Sequence, residues 1–224
     1  MDLLVSFDEN YLPQLRVLLV SLYQNDPGVR CRVHLLHRAI SQGQIDQLRE
    51  DVEKLGWELC PVTVDGRLFA NAPATKQYPQ EMYYRLLAGQ LLPKEGKRGL
   101  YLDPDILVIN PLTPLWEMDL HSSLFAAAAH TGKTELANNI NRVRLGTKGD
   151  YYNTGVLLMD LDRCRQEVDP QAIFRFTEEY RQDLVLPDQD VFNALYGDRV
   201  LPLDDVIWNY DARNYSNYLM RSLG

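Results

Sequence analysis

Residues 1–28 read MDLLVSFDENYLPQLRVLLVSLYQNDPG, and residues 29–64 continue VRCRVHLLHRAISQGQIDQLREDVEKLGWELCPVTV. Leu3 to Phe7 is a short apolar run that stops at Asp8-Glu9-Asn10, the signature of a buried parallel strand. Leu12, Leu15, Leu18, Leu19 and Leu22 then recur at helical spacing until Asn25-Asp26-Pro27-Gly28 breaks the pattern. Arg30 to Leu36 reads as a second strand with Val33 and Leu35 inward. Ser41 to Leu55 is the clearest helix: Ser41 and Gln44 have capping-box spacing, and Ile45, Leu48, Val52 and Leu55 share one face. Trp57 to Val64 is a third strand. A β-α-β-α-β opening implies parallel strands, right-handed crossovers and an α/β sheet with helices on both faces. Ligands of such sheets bind beyond the carboxyl ends of the strands, so Asp8 to Tyr11 is a candidate ligand loop.

Beyond this opening, Asp65 to Tyr78 (DGRLFANAPATKQY) has no periodicity and reads as a long loop, a frequent setting for a lid. Pro79 to Leu92 returns to helix. Arg98 to Asn110 reads as an apolar strand interrupted by Asp103-Pro104-Asp105. His130 to Asp150 is polar and reads as a helix flanked by loops, Tyr151 to Met159 as a buried strand. Pro170 to Arg181 and Asp188 to Tyr196 read as helices, Val200 to Leu203 as a short strand. The tail from Asn209 shows no convincing period, and no repeat or linker divides the chain.

The 224 residues suit one domain at roughly 150 residues per domain, long enough to bury a core without staples. The formal net charge of −8 argues against a nucleic-acid surface, which needs basic residues to neutralise phosphates. If the substrate is anionic, an arginine, a helix N-terminus or a metal ion must invert the field locally. Cys31, Cys60 and Cys164 are scattered and odd in number, so they read as core thiols of a reducing compartment. The acidic N-terminus is unlike a signal peptide, and the longest apolar run, Leu124 to Ala129, is too short to span a bilayer. The expectation is a cytoplasmic protein with no transmembrane segment.

No GxGxxG, GxxxxGK[ST], zinc-ligand spacing or nucleophile elbow is present. Carboxylates remain. Asp-x-Asp occurs at Asp103/Asp105, Asp160/Asp162 and Asp188/Asp190. The second pair precedes a polar helical stretch and Asp188 opens a helix, so capping competes with function at both. The first pair differs: Leu100-Tyr101-Leu102 precedes it and Ile106-Leu107-Val108-Ile109 follows. Residues i and i+2 of an extended chain share a side, so two carboxylates converge at the end of a buried strand. Pro104 stops ladder pairing there, and two like charges beside a core call for a neutralising partner such as a hard divalent cation. An exposed Asp-Pro turn is the competing reading.

MYYRLLAGQLLP followed by GLYLDPDILVINPLTPLW resembles the core of family 8 glycosyltransferases. SFDENYLPQLRVLLVSLYQN, YYNTGVLLMDL and LPDQDVFNALYGDRVLPLDDVIWN agree with the same family in order and spacing, so the resemblance covers nearly the whole chain. It is closer to the bacterial lipopolysaccharide galactosyltransferase type than to glycogenin. It implies a GT-A-like single α/β domain over residues 1–224, with a mainly parallel Rossmann-like sheet. It also implies retaining transfer of galactose or glucose from a UDP-sugar to a saccharide acceptor, with Mn²⁺ or Mg²⁺. On that resemblance Asp8 and Tyr11 hold uridine, and Arg85 reaches the phosphate–sugar region. Asp103 and Asp105 bind the metal, with Asp103 also near the ribose. Asn153 and Asp188 bind donor-sugar hydroxyls, and Gln189 lies near the anomeric carbon. Read locally, Asp8 and Asn10 could cap a helix, Tyr11 pack under a loop, Arg85 sit on a surface, Asn153 precede a strand in a turn, and Gln189 be an ordinary first-turn residue.

The sequence departs from the family at one place: no segment like HFxGxxKPW follows the WN block, and none of His34, His37, His121 and His130 has that context. The C-terminal part of the family's domain is therefore expected to be missing, with any peripheral membrane contact made through it. Two rivals stand beside retaining transfer: a non-catalytic domain that binds nucleotide-sugar or glycan, and a sugar-nucleotide nucleotidyltransferase.

Overall fold

Leu3, Leu4 and Val5 are all completely buried, because the first strand lies inside a sheet covered on both faces. The computed structural model describes residues 1–75, 79–129, 140, 143–147 and 149–212. Its sheet contains β1 (Asp2–Ser6), β2 (Arg32–His37), β3 (Glu58–Thr63), β4 (Arg98–Leu102), β5 (Phe125–Ala128), β6 (Val156–Asp160) and β7 (Val200–Leu203), in the order β3-β2-β1-β4-β6-β5-β7. β3, β2, β1 and β4 pair in parallel, β5 pairs in parallel with β7, and β6 runs antiparallel to both of its neighbours. The mainly parallel α/β sheet expected from the opening pattern is thus present, with one reversed strand. Leu3, Val5, Val33 and Leu35 face a core shared with the helix Leu12–Asn25, while Leu4, Leu36 and Tyr101 face a second core with Tyr83, Tyr84 and Phe192. The expected helix over 41–55 is observed as Gln42–Lys54, with the Ser41/Gln44 capping box formed.

Several local expectations are corrected. The strand expected over 98–110 ends at Leu102. Asp103-Pro104-Asp105 turns the chain, closed by the Ile106 N–H on the Asp103 carbonyl at 3.1 Å. The following apolar run then lies along the first helix: Val108 N–H donates to Ser21 Oγ at 3.0 Å and Asn25 Nδ2 to the Val108 carbonyl at 3.1 Å. Leu107 and Ile109 are exposed. The helix expected over 79–92 is a 3₁₀ segment, Gln80–Leu87, followed by one α turn, Ala88–Leu91. Three residues per turn stack i over i+3, which places Met82 and Arg85 on one line facing the sheet's end. The strand expected from Tyr151 begins only at Val156, because the Tyr152 N–H and carbonyl bond the Asn193 side chain rather than a neighbouring strand. The run at Phe125, read only as too short for a bilayer, is β5.

The loop after Val64 is partly anchored: Phe69 is buried, stacked on Tyr83 at 4.9 Å. Asp160 caps the helix Leu161–Glu167, accepting from the Arg163 N–H at 3.0 Å, so the bland reading of that Asp-x-Asp holds. The polar stretch expected as a helix over 130–150 and the tail beyond residue 212 fall largely outside the described residues. Among the described residues no helix is long and apolar enough to cross a membrane.

Candidate functional site

The strand order reverses beside β1: β2 and β3 lie on one side of it, β4 on the other. An open α/β sheet binds ligands at such a switch point, beyond the carboxyl ends of the strands. A cleft of ≈ 200 Å³ lies here, lined by Tyr11, Arg85, Asp103, Asp105, Asn153, Asp188 and Gln189 among others. Asp8 flanks it. Its Oδ1 accepts from the Asn10 backbone N–H at 2.9 Å and from Asn10 Nδ2 at 3.0 Å, capping the 3₁₀ turn Glu9–Tyr11 that sets Tyr11 on the rim. Asp8 thus caps this turn and not the helix Leu12–Asn25, whose N-cap position is Tyr11 with no side-chain cap bond.

The reversal of β6 explains how distant segments meet. Val156 pairs with Leu102, so the residues just before β6 arrive beside those just after β4. The Asp103 N–H donates to the Gly155 carbonyl at 2.8 Å. Asn153 Oδ1 accepts from the Gly155 N–H and from Asn209 Nδ2, each at 2.8 Å, and its Nδ2 donates to Gln189 Oε1 at 3.2 Å. A β-carbon at Gly155 would lie 2.8 Å from Asp103 Oδ2 and 2.9 Å from Asn153 Oδ1, so the bare backbone there leaves room for both side chains.

Arg85 is the hub. The surface-residue reading fails, since it is 7 % exposed. Its Nη2 lies 2.9 Å from Asp103 Oδ1 and its Nε 3.3 Å from Asp188 Oδ2. Nε also donates to the Met82 carbonyl and Nη1 to the Thr154 carbonyl, each at 2.9 Å. The guanidinium carbon sits 4.3 Å from the centre of the Tyr101 ring, a cation–π contact. Burial alone would disfavour the charge, but Asp103, Tyr101 and Asp188 outweigh it and move the Arg85 pKa upward.

Asp188 is not a helix cap. It lies inside the helix Pro187–Tyr196 and accepts from Thr154 Oγ1 at 3.0 Å. Burial raises its pKa above the usual carboxylate value against the pull of Arg85. Asp105 is raised by burial and then by the neighbouring Asp103 charge. Tyr11 is also raised, by burial first and then by Asp105, Asp8 and Asp103.

Three residues given no role from the sequence complete the site, one of them, Asp190, visible there only as half of an Asp-x-Asp pair. Tyr101 and Thr154 contact the hub directly. Asp190 is fully buried: its Oδ1 accepts from Tyr151 Oη and Arg144 Nη2 at 2.6 Å each, and its Oδ2 from the Val185 and Leu186 N–H groups at 2.7 and 3.1 Å. It ties the start of the helix bearing Asp188 and Gln189 to the segment bearing Asn153.

The donor set fits a hard divalent cation in part. Asp103 and Asp105 offer only oxygen, and the push of one charge on the other is what a cation would relieve. Among the described residues no cluster of three or more His, Cys, Asp or Glu side chains is present. Other positions would fall to water and substrate oxygens.

A sequence profile described as "Glycosyl transferase family 8" matches residues 2–221. The chain belongs to glycosyl transferase family 8. General stress protein A of Bacillus subtilis is 28 % identical, over 86 % of this chain and 68 % of its own length. Lipopolysaccharide glucosyltransferase WaaO of Escherichia coli is 24 % identical, over 99 % and 66 %. The galactosyltransferase LgtC, solved in complex with donor and acceptor sugar analogs, superposes with a TM-score of 0.86 at 26 % identity, over 97 % of this chain and 78 % of that one. Glycosyltransferase GlyE of Streptococcus pneumoniae is 26 % identical, over 88 % of this chain and 45 % of its own length. The GT-A-like α/β domain implied by the sequence resemblance is the fold observed.

Proposed function

We propose that this chain transfers a hexose, galactose or glucose, from a UDP-sugar to a saccharide acceptor with retention at the anomeric carbon, in the cytoplasm. The observation that carries the reading is the cleft at the switch point, where Asp103, Asp105, Asp188 and Gln189 gather around Arg85. Asp103 and Asp105 would hold Mn²⁺ or Mg²⁺, which when bound supplies Lewis-acid stabilisation of charge on the leaving diphosphate. Tyr11 stacks on uracil and Asp8 accepts from the base. Asp103 lies near the ribose. Asn153 and Asp188 orient the donor sugar, with Gln189 beside the anomeric carbon.

Arg85 has all three nitrogens engaged with Asp103, Asp188, Met82 and Thr154. Its part is to fix both carboxylates and lend them positive charge. Asp188 Oδ2 is held by Arg85 and Thr154, which suits orienting a sugar better than attacking one. Attack by the acceptor on the face the leaving group departs from, with its proton passing to the departing phosphate, is the mechanism these constraints favour.

A panel of UDP-sugars with Mn²⁺, followed by UDP release and by the anomeric configuration of the product, tests the proposal. UDP-galactose or UDP-glucose is expected to turn over with Mn²⁺ and not with EDTA. Donor binding without UDP release would instead favour a binding domain, and an inverted product would refute retention.

A further inference from the structure

We infer that Tyr101 is a positioning residue for Asp103, its hydroxyl and its ring together fixing that carboxylate so that only Oδ2 is presented to a donor–metal complex. The inference deepens the proposed reading and rests on it. Tyr101 is fully buried in β4, two residues before Asp103, so an extended strand directs both side chains to the same face. Its hydroxyl donates to Asp103 Oδ1 at 2.9 Å and lies 3.3 Å from Ser6 Oγ on the adjacent strand. Arg85 Nη2 reaches the same Oδ1 at 2.9 Å while its guanidinium rests on the Tyr101 ring.

Both lone pairs of Oδ1 are thus engaged by protein donors. Oδ2 lies against Gly155, where a β-carbon would approach it to 2.8 Å. The carboxylate is gripped on one oxygen and cradled by bare backbone at the other. Packing explains the Tyr101 ring, since a phenylalanine would fill the same volume. It does not explain the hydroxyl, which is a polar group carried into a core and aimed at Asp103, one of the carboxylates lining the cleft. Partners that orient metal-ligating groups in this way are typically worth about 10–100-fold in metal affinity.

The test is Mn²⁺ binding followed by EPR, with and without saturating UDP, on wild type, Tyr101→Phe, Gly155→Ala and Tyr84→Phe. Tyr84 lies on the Arg85-bearing 3₁₀ segment, and its buried hydroxyl has no hydrogen-bond partner among the described residues, so it controls for loss of a buried hydroxyl as such. Tyr101→Phe is expected to weaken Mn²⁺ binding in the presence of UDP by about 10-fold or more. UDP affinity in EDTA should change far less, since the lost bond acts on Oδ1 and reaches the metal only through the orientation of the Asp103 carboxylate. Gly155→Ala, which crowds Oδ2 from the other side, should weaken Mn²⁺ binding comparably, and Tyr84→Phe should match wild type. Mn²⁺ binding by Tyr101→Phe equal to wild type overturns the inference. If Tyr101→Phe does not fold, Gly155→Ala decides, and wild-type affinity there overturns it as well. Absence of UDP-dependent Mn²⁺ binding in wild type would defeat the donor–metal reading itself, and this inference with it.

Discussion

Replacing Arg85 by methionine should show how much of this site is held by one buried cation. Methionine keeps the stem and a contact with the Tyr101 ring but removes the charge. The Asp188 side chain is 10 % exposed and the Asp103 side chain 32 % exposed, so water can re-solvate Asp103 in part and Asp188 hardly at all. Removing one partner of a buried pair costs about 3–5 kcal/mol. For a chain of this size each kcal/mol moves Tm by about 2–4 °C, so the expected fall at pH 8 is roughly 6–20 °C. The pH dependence follows from Asp188. Burial already raises its pKa, Arg85 opposes that rise, and the variant lacks the opposition. A carboxyl whose folded pKa lies above its unfolded value binds more protons in the native state, so its destabilising effect grows as pH rises through that range and fades as pH falls. The Tm deficit of Arg85→Met should therefore be larger at pH 8 than at pH 5. Thermal melts followed by circular dichroism at both pH values measure it. A deficit below about 2 °C at pH 8, corresponding to under about 1 kcal/mol, or one equal at both pH values, would show that Arg85 does not carry the charge of Asp188.

Asp103→Asn and Asp105→Asn should each cut UDP release by about 10²-fold, the scale of losing one electrostatic group at a reacting centre. The Tm of Asp105→Asn should hold or rise at pH 7, because burial and Asp103 raise its pKa and ionisation above about pH 4 costs stability; activity retained with a lower Tm would make the pair structural. Mn²⁺ should bind weakly to the protein alone and much more tightly with UDP, since among the described residues no group of three or more His, Cys, Asp or Glu side chains is placed to hold a metal ion, and EPR titration showing tight binding without nucleotide would reveal a further ligand. Gln189→Ala should leave UDP affinity by calorimetry near wild type while transfer falls, because Gln189 contacts Asn153 and not the Asp8–Tyr11 end; a large loss of UDP affinity would misplace it.

The β-α-β-α-β opening was legible because its strands are continuous apolar runs and its helices keep a clean 3.6 period. The reading failed where composition and environment diverge. Ile106 to Ile109 has strand composition, yet a turn at Pro104 and two side-chain bonds from the first helix set its path. Phe125 to Ala128 is a strand with three alanines, and only its place between β6 and β7 makes it one. The carboxylate pairs were visible, and the family resemblance ranked them. What the sequence concealed was the burial of Arg85: its counter-charges come from residues 103 and 188, and no local pattern around position 85 announces either. Tyr101 left a faint signal, its i, i+2 spacing to Asp103 within a strand.

The electrostatics of the cleft give the proposed metal a physical role beyond the reacting atoms. Among the described residues that line the cleft, Arg85 is the one cation, set against Asp103, Asp105 and Asp188, with Asp8 at the rim of a chain of net charge −8. Arg85 is buried and already paired with two of those carboxylates, so most of its charge is spent within the protein. It lowers the cost of bringing them together and leaves the cleft with an excess of negative charge. An anionic donor entering alone would meet that excess, and field in a low-dielectric cleft is screened less than in open water. On the proposed reading, a divalent cation held by Asp103 and Asp105 would remove the conflict for both sides. Arg85 thus assembles the acidic pair, and the charge that the pair still lacks is the charge that the donor's cation would bring.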